Sequence, residues 1–153
     1  MDLILWRHAE AKDPGEGQDD LSRALTSRGE KQATRMAKWL DRQLPEATRV
    51  LVSPAARCEQ TALALSRKYK IRPELAPGCG VEDLLIAVQW PDARSPILVV
   101  GHQPALGQTI AHLMGLQAGD CVVRRGSIWW LRGRERDGQS QSVLVTVQSP
   151  EFL

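Results

Sequence analysis

The sequence predicts an α/β fold, a three-layer sandwich in which helices cover both faces of a mainly parallel central sheet. Short apolar runs alternate along the chain with segments of helical periodicity, as in repeated strand–helix units. Residues 97–100 read Ile-Leu-Val-Val, an uninterrupted apolar run typical of a strand buried on both faces. The 153 residues show no internal repeat or linker, so residues 1–153 are predicted to form one domain.

Hydrophobic spacing predicts the first elements. Residues 3–6 are apolar and indicate a strand, and the polar, glycine-containing stretch 12–22 indicates a loop. Apolar residues recur at helical spacing over residues 26–44, with Thr26 as the N-cap. A second short strand is expected at residues 50–52.

The middle of the chain predicts two further helices. Ser53 is expected to cap the first of these, with Pro54 at its first helical position. A weaker strand is expected at residues 72–75, followed by a short helix over residues 81–88.

The last third predicts one more helix and a hairpin. The helix covers residues 106–114. Residues 121–124 are expected to form a strand that continues through residues 128–131. A turn sequence at residues 136–138 then joins it to a final strand at residues 143–147.

Composition excludes several classes of protein. The chain is 42% hydrophobic and 25% charged, as expected for a soluble domain, and no stretch approaches the roughly 18 apolar residues of a membrane helix. The N-terminus lacks the basic start of a signal peptide, so a cytoplasmic protein is predicted. A net charge of +2 gives no indication of nucleic-acid binding. One basic cluster is either a solvated strand pair or a docking patch for an acidic partner, and comprises Arg124, Arg125, Arg132, Arg134 and Arg136.

The three cysteines, Cys58, Cys79 and Cys121, indicate reduced thiols and no metal site. They form no Cys-x-x-Cys pair, so neither a structural zinc nor any other cofactor is predicted. None of them has an arginine six residues later, which excludes the Cys-x5-Arg loop of thiol phosphatases. His112 falls within a predicted helix and is expected to be structural or exposed.

Residues suited to phosphate chemistry follow three of the predicted strands. Arg7 and His8 follow the first, Arg57 lies shortly after the second, and His102 follows the strand ending at residue 100. The carboxyl ends of parallel strands share one rim, where ligands bind. Neutral imidazole is a good nucleophile toward phosphorus, and guanidinium groups bind phosphate oxygens through paired donors. The sequence therefore predicts a phosphoryl-transfer site that needs no metal.

Four motifs resemble those of the histidine phosphatase, or phosphoglycerate-mutase-like, superfamily. Residues 7–10 read Arg-His-Ala-Glu and resemble the Arg-His-Gly hallmark, with alanine replacing glycine. Asp-x-x-Arg-x-Leu-Thr-x-x-Gly stands at residues 20–29, Ser-Pro-x-x-Arg-x-x-Gln-Thr at 53–61, and Gly-His at 101–102. The alanine and the short chain are similar to SixA-type phosphohistidine phosphatases.

The resemblance implies a role for five residues. His8 would be phosphorylated during turnover, and a contact with the neighbouring backbone would fix its tautomer. Arg7, Arg57 and His102 would form the phosphate pocket, and Arg23 would reach its rim.

The superfamily's general acid is missing from its usual position. Many phosphomonoesterases of the superfamily carry an acid after the third strand, where this chain has Pro77. Glu10, Glu82 and Asp83 stay open as substitutes. An imidazole leaves phosphorus far more readily than an alkoxide, so the loss of the acid favours phosphohistidine as the substrate.

The predicted function is therefore removal of phosphate from phosphohistidine on a partner protein through phospho-His8. A monomer is expected, because nothing in the sequence indicates an obligate assembly. The resemblance implies a phosphotransfer domain or a phosphocarrier as the partner. Two alternatives stay open: a small-molecule phosphomonoesterase of the same superfamily, and a non-catalytic phosphate-binding module.

Overall fold

The computed structural model describes residues 1–153 and contains one six-stranded sheet. Its strands are β1 (Asp2–Arg7), β2 (Arg49–Val52), β3 (Lys70–Ile71), β4 (Ile97–Gly101), β5 (Ile128–Arg136) and β6 (Gln139–Gln148). Their order in the sheet is β3-β2-β4-β1-β5-β6. The first four in that order run parallel, whereas β5 is antiparallel to β1 and β6 is antiparallel to β5. The mainly parallel sheet expected from the sequence is confirmed.

Four helices cover the two faces of the sheet: α1 (Ser27–Gln43), α2 (Ala56–Leu63), α3 (Val81–Ala87) and α4 (Ala105–Met114). One apolar core packs α1 and α2 against one face, and a second core packs α3 and α4 against the other. Strand β1 supplies both cores because successive side chains alternate in direction. Ile4 and Trp6 belong to the first core, and Leu3 and Leu5 to the second. The three-layer sandwich is therefore confirmed.

The start of α1 is held beside the segment that follows β1. The Thr26 hydroxyl accepts a hydrogen bond from Gly29 N at 2.9 Å, which makes Thr26 the N-cap as predicted. Thr26 N in turn donates to the carbonyl oxygen of Glu10 at 3.0 Å. Gly29 lies against the same carbonyl, and a Cβ at this position would overlap its oxygen. Gly29, the last residue of the motif at residues 20–29, thus permits a close contact between two backbones.

The central strands β1 and β4 bring distant segments to one rim of the sheet. Arg7 at the end of β1 lies opposite Gly101 at the end of β4. His8 N donates to Gly101 O, and Ser53 N donates to Val100 O, both at 3.1 Å. The three segments that carry the predicted site residues therefore meet at the carboxyl ends of β1, β2 and β4.

The prediction that Ser53 caps α2 is wrong. Helix α2 begins at Ala56, its N-cap position is Ala55, and no side chain caps it. The fully buried Ser53 hydroxyl accepts a hydrogen bond from Ala55 N at 3.2 Å and lies 2.7 Å from His102 Nε2. Because the hydroxyl is bound to the second histidine, it is not available to the helix end. Arg57 still falls in the first turn of α2, as predicted.

Two predicted strands are also wrong. Strand β3 is two residues long and precedes the predicted range 72–75, where Pro73–Leu75 forms a single 3₁₀ turn. Pro73 has no N–H to donate to a neighbouring strand, and its fixed φ suits the turn. Residues 121–124 form no strand, because the carbonyl groups of Cys121 and Val123 accept hydrogen bonds from side chains at the site.

The predicted hairpin between the last two strands is confirmed. It is longer than expected and closes at Asp137 and Gly138, which both have positive φ, +53° and +76°. Such a pair of residues is typical of tight hairpin turns. No helix in the structure has the length and apolar character needed to cross a membrane.

Candidate active site

A cavity of about 200 Å³ lies at the rim formed by β1 and β4. It contains four guanidinium groups, two imidazoles and no carboxylate. Its lining residues are Arg7, His8, Ala11, Arg23, Arg57, Pro77, His102, Gln103 and Arg125. The five site residues predicted from the sequence therefore lie around one pocket. A larger cleft of about 360 Å³, beside Trp90 and the β5–β6 hairpin, contains none of the five.

The His8 ring is held by the backbone that follows it. Its Nδ1 lies 2.8 Å from Ala9 O, and both groups are buried. A carbonyl oxygen only accepts hydrogen bonds, so the neutral ring carries its proton on Nδ1 and leaves Nε2 with a free lone pair. Ala9 N donates to Thr61 Oγ1 at 3.1 Å, which fixes the peptide that orients the ring. Ala9 has no positive φ, so alanine takes the place of glycine without strain.

Burial keeps both pocket histidines neutral. It lowers the pKa of His8 to about 4, helped by the positive charges of Arg57, Arg7 and Arg23. Burial also lowers the pKa of His102 to about 3, with His8 and Arg57 acting in the same direction. The two ring centroids are 5.3 Å apart. Near neutral pH, His8 is therefore an uncharged nucleophile beside permanently charged guanidinium groups.

The ring of His102, the second pocket histidine, is held by two buried side chains. His102 Nε2 lies 2.7 Å from Ser53 Oγ and 3.4 Å from Cys58 Sγ. Burial raises the pKa of Cys58 to about 12, so this sulfur stays a neutral thiol and is not a rival nucleophile. Its role is to pack against the His102 ring, consistent with the exclusion of thiol phosphatase chemistry from the sequence.

One carboxylate, that of Asp20, braces two of the pocket arginines. Arg57 Nη1 donates to Asp20 O at 2.8 Å, and Arg57 Nη2 lies 3.1 Å from Asp20 Oδ2. Arg23 Nη1 lies 3.0 Å from Asp20 Oδ1, and Arg23 Nε donates to Lys12 O at 2.9 Å. The bonds from Arg23 and Arg57 hold the pKa of Asp20 below its usual range. The sequence showed Asp20 only as the first residue of a motif, and its bracing contacts depend on the fold.

Arg7 presents an unpaired donor. Its Nη1 donates to Val123 O at 2.8 Å, whereas its buried Nε has no hydrogen-bond partner. Arg7 also lines the cavity, where its guanidinium is suited to binding an anion. Burial, together with the nearby charge of Arg125, lowers the pKa of Arg7, but a guanidinium stays protonated at any ordinary pH.

Four lining residues were not predicted as site residues: Ala11, Pro77, Gln103 and Arg125. Gln103 Nε2 donates to Cys121 O at 2.9 Å, and its Oε1 accepts from Gly107 N at 2.7 Å, so it links α4 to the loop opposite. Pro77, which stands where the resemblance implies an acid in many phosphomonoesterases, also lines the pocket. Arg125 was visible in the sequence only as one member of a basic cluster.

None of the candidate acids named from the sequence lines the pocket. The Glu10 carboxylate accepts from Thr26 Oγ1 at 3.0 Å, and the Asp83 carboxylate accepts from Gly80 N at 2.9 Å. Glu82 lies exposed on α3. No three His, Cys, Asp or Glu side chains converge as a metal-binding set.

The basic cluster does not form one patch. Arg125 lines the pocket at the carboxyl end of β1. Arg132 instead pairs with Asp2, the first residue of β1, at 2.7 Å. Arg134 and Arg136 are exposed on the hairpin strand β5. His112 is exposed on α4 and lies outside the pocket.

Comparisons with known proteins identify a family and similar structures. The family model described as histidine phosphatase superfamily (branch 1) matches residues 3–79. Phosphohistidine phosphatase SixA of Escherichia coli (strain K12) is 34% identical over 122 residues, covering 74% of this chain and 74% of that protein. The SixA homolog of Haemophilus influenzae is 30% identical over 131 residues, covering 75% of this chain and 78% of its own. A solved structure of the protein histidine phosphatase SixA complexed with tungstate gives a TM-score of 0.78 at 26% identity and covers 99% of each chain.

Proposed function

This chain belongs to the histidine phosphatase superfamily and is of the SixA type, and we propose that it hydrolyses phosphohistidine on a partner protein through phospho-His8. One observation carries the proposal. A neutral His8 with a free Nε2 lies in a guanidinium-lined pocket that contains no carboxyl group. Such a pocket can accept a phosphoryl group but offers no acid to protonate an alkoxide.

Charge in the pocket suits a phosphoryl group. Three lining arginines, Arg7, Arg23 and Arg57, together with Asp20, which pairs with two of them outside the cavity lining, have a net charge of +2. The exposed Arg125 adds a fourth positive charge to the lining. A phosphoryl group carries about −1.5 to −2 near neutral pH. Preorganised donors of this kind stabilise charge on the transferring group in the transition state. Tungstate is a tetrahedral oxyanion like phosphate, and its presence in the SixA structure supports this assignment.

In the first step, His8 Nε2 attacks phosphorus as the bond between phosphorus and the substrate imidazole breaks. The bonding electron pair leaves with the substrate ring, and a proton on that ring's other nitrogen makes the leaving group a neutral imidazole. Because Nδ1 of His8 keeps its proton, the phosphorylated His8 ring is cationic. The Ala9 carbonyl, 2.8 Å from Nδ1, stabilises that charge.

In the second step, water attacks phospho-His8 and releases phosphate. His8 leaves as a neutral imidazole, since its Nδ1 is still protonated against Ala9 O. The same backbone contact therefore activates the nucleophile in the first step and gives a good leaving group in the second.

The test compares two substrates and follows the phosphoryl group. A protein carrying labelled phosphohistidine and an alkyl phosphate ester are incubated with the protein, and trapped label is mapped to a residue. We expect faster turnover of phosphohistidine and acid-labile label on His8. His8→Ala should abolish turnover, and Arg57→Ala should lower it by about 10²–10³-fold. His112→Ala is the matched control, because this histidine is exposed outside the pocket.

The outcomes separate the rival functions. Equal or faster turnover of the ester would overturn phosphohistidine as the substrate and favour a phosphomonoesterase. Stoichiometric binding of the phosphoprotein with no turnover and no labelled His8 would instead identify a phosphate-binding module.

A further inference from the structure

The segment 121–127, here called the pocket wall, is bound firmly to the residues that carry the nucleophile. Val123 O accepts from Arg7 Nη1 at 2.8 Å. Gly126 N lies 3.1 Å from the carbonyl oxygens of both Arg7 and His8, and Gly126 O accepts from Trp6 Nε1 at 3.0 Å. These contacts join residues more than 100 positions apart in the chain. They give the wall a fixed position although it has no regular secondary structure.

The wall directs one arginine at the pocket. Arg125 lines the cavity and is otherwise exposed, and its side chain makes no hydrogen bond or salt bridge within the chain. Its neighbour Arg124 is also exposed but does not line the cavity. The turn at Gly126 has φ of +74°, which a residue with a side chain rarely adopts. These two arginines, although adjacent in the chain, therefore differ in their position with respect to the site.

Arg125 adds positive charge beyond the amount needed to balance the phosphoryl group. The other three arginines and Asp20 already give a net charge of +2, which balances a phosphoryl dianion. A fourth guanidinium at the open side of the cavity, with no partner of its own, matches a further anion on the substrate. The anionic groups that a protein can offer beside a phosphohistidine are the carboxylates of Asp and Glu.

We infer that Arg125 is a specificity residue that binds an acidic side chain flanking the phosphohistidine of the partner protein. The inference rests on the proposed function and adds to it the kind of partner surface. Arg125 acts on the flanking residue and not on the transferring phosphoryl group. Its contribution should therefore depend on the sequence around the phosphohistidine and on salt, because exposed charges are screened.

The experiment uses two phosphohistidine peptides that differ only in their flanks, Asp and Glu in one and Ser and Gln in the other. Turnover is measured for the wild type, Arg125→Gln and Arg124→Gln. We expect the wild type to favour the acidic peptide in kcat/KM by about 5- to 10-fold, mainly through KM. Arg125→Gln should remove most of this preference, as should about 0.5 M salt. Arg124→Gln should keep the preference within twofold.

A second measurement separates this inference from the proposed function. Binding of the same two phosphopeptides to the His8→Ala variant is measured with and without Arg125→Gln, so that no turnover is needed. A preference for the acidic peptide that disappears with Arg125→Gln supports the inference even if the wild type proves inactive on both peptides. The inference is overturned if neither measurement shows a preference, if Arg124→Gln removes it equally, or if Arg125→Gln lowers kcat equally for both peptides.

Discussion

Lowering the pH from 7.5 to 5.0 should destabilise the fold through His8. In the folded state burial lowers the pKa of His8 from its ordinary value of 6.5 to about 4. The unfolded chain therefore binds more protons than the folded chain between these two pH values. The stabilisation is complete above pH 6.5 and is lost progressively as the pH falls toward 4.

The size of the effect follows from the two pKa values. At pH 5.0 the unfolded His8 is almost fully protonated and the folded His8 is about nine-tenths neutral, so linkage costs about 2 kcal/mol of unfolding free energy relative to pH 7.5. The His8→Asn variant removes the titrating ring, and its amide N–H can still reach Ala9 O. Because His8 helps to lower the pKa of His102, the His102 ring is titrated by NMR in both proteins and its contribution is subtracted.

The assay is urea unfolding at both pH values for the wild type and His8→Asn, with the His8 ring titrated by NMR. We expect the wild type to lose about 2 kcal/mol more than the variant between pH 7.5 and 5.0. The His8 signal should titrate well below pH 6. Equal losses for the two proteins, or a His8 midpoint at or above pH 6, would refute the argument that the nucleophile is kept neutral by burial.

Three substitutions test other contacts. Pro77→Glu places a carboxyl group at the pocket, so hydrolysis of an alkyl phosphate should rise by up to about 10²-fold. Hydrolysis of an aryl phosphate should change little, because its leaving group needs no proton. An unchanged ratio of alkyl to aryl phosphate hydrolysis would contradict this prediction. Gly29→Ala forces a Cβ onto the Glu10 carbonyl and should cost about 1–3 kcal/mol in urea unfolding, whereas Gly15→Ala, where a Cβ meets only ordinary contacts, should cost far less. Ser53→Ala removes the hydrogen-bond partner of Ala55 N and the shorter of the two contacts to His102 Nε2, and should cost about 1–3 kcal/mol of stability and lower kcat more than it raises KM; an unchanged kcat would show that the serine does not position that ring.

Local sequence signals were sufficient for much of the fold. Apolar runs and helical periodicity gave the strands β1, β2 and β4 and the helices α1, α3 and α4, because these patterns reflect burial of one or both faces. The strands β1 and β4 beside the site are central, with β4 buried throughout and β1 buried at its four inner residues, so their ends could be located from hydrophobicity. Residues that directly follow those ends, such as His8 and His102, could then be expected at one rim.

Contacts between distant segments could not be predicted in this way. Residues 121–124 have the apolar character of a strand, yet the fold uses their carbonyl groups to bind Arg7 and Gln103. Ser53 has the sequence context of a helix cap, yet its hydroxyl contacts His102, 49 positions away. In both cases a long-range hydrogen bond replaces the local one that the sequence favours.

The sequence by itself determined the α/β fold, the order of its main elements, and which histidines and arginines follow the central strands, since each of these depends on local burial and turn chemistry. Only the tertiary structure decided that Asp20 braces two arginines, that Arg125 faces the pocket, and that burial leaves His8 neutral with Nε2 free. These properties depend on the distance and solvent exposure of groups far apart in the chain, which no local pattern of residues records.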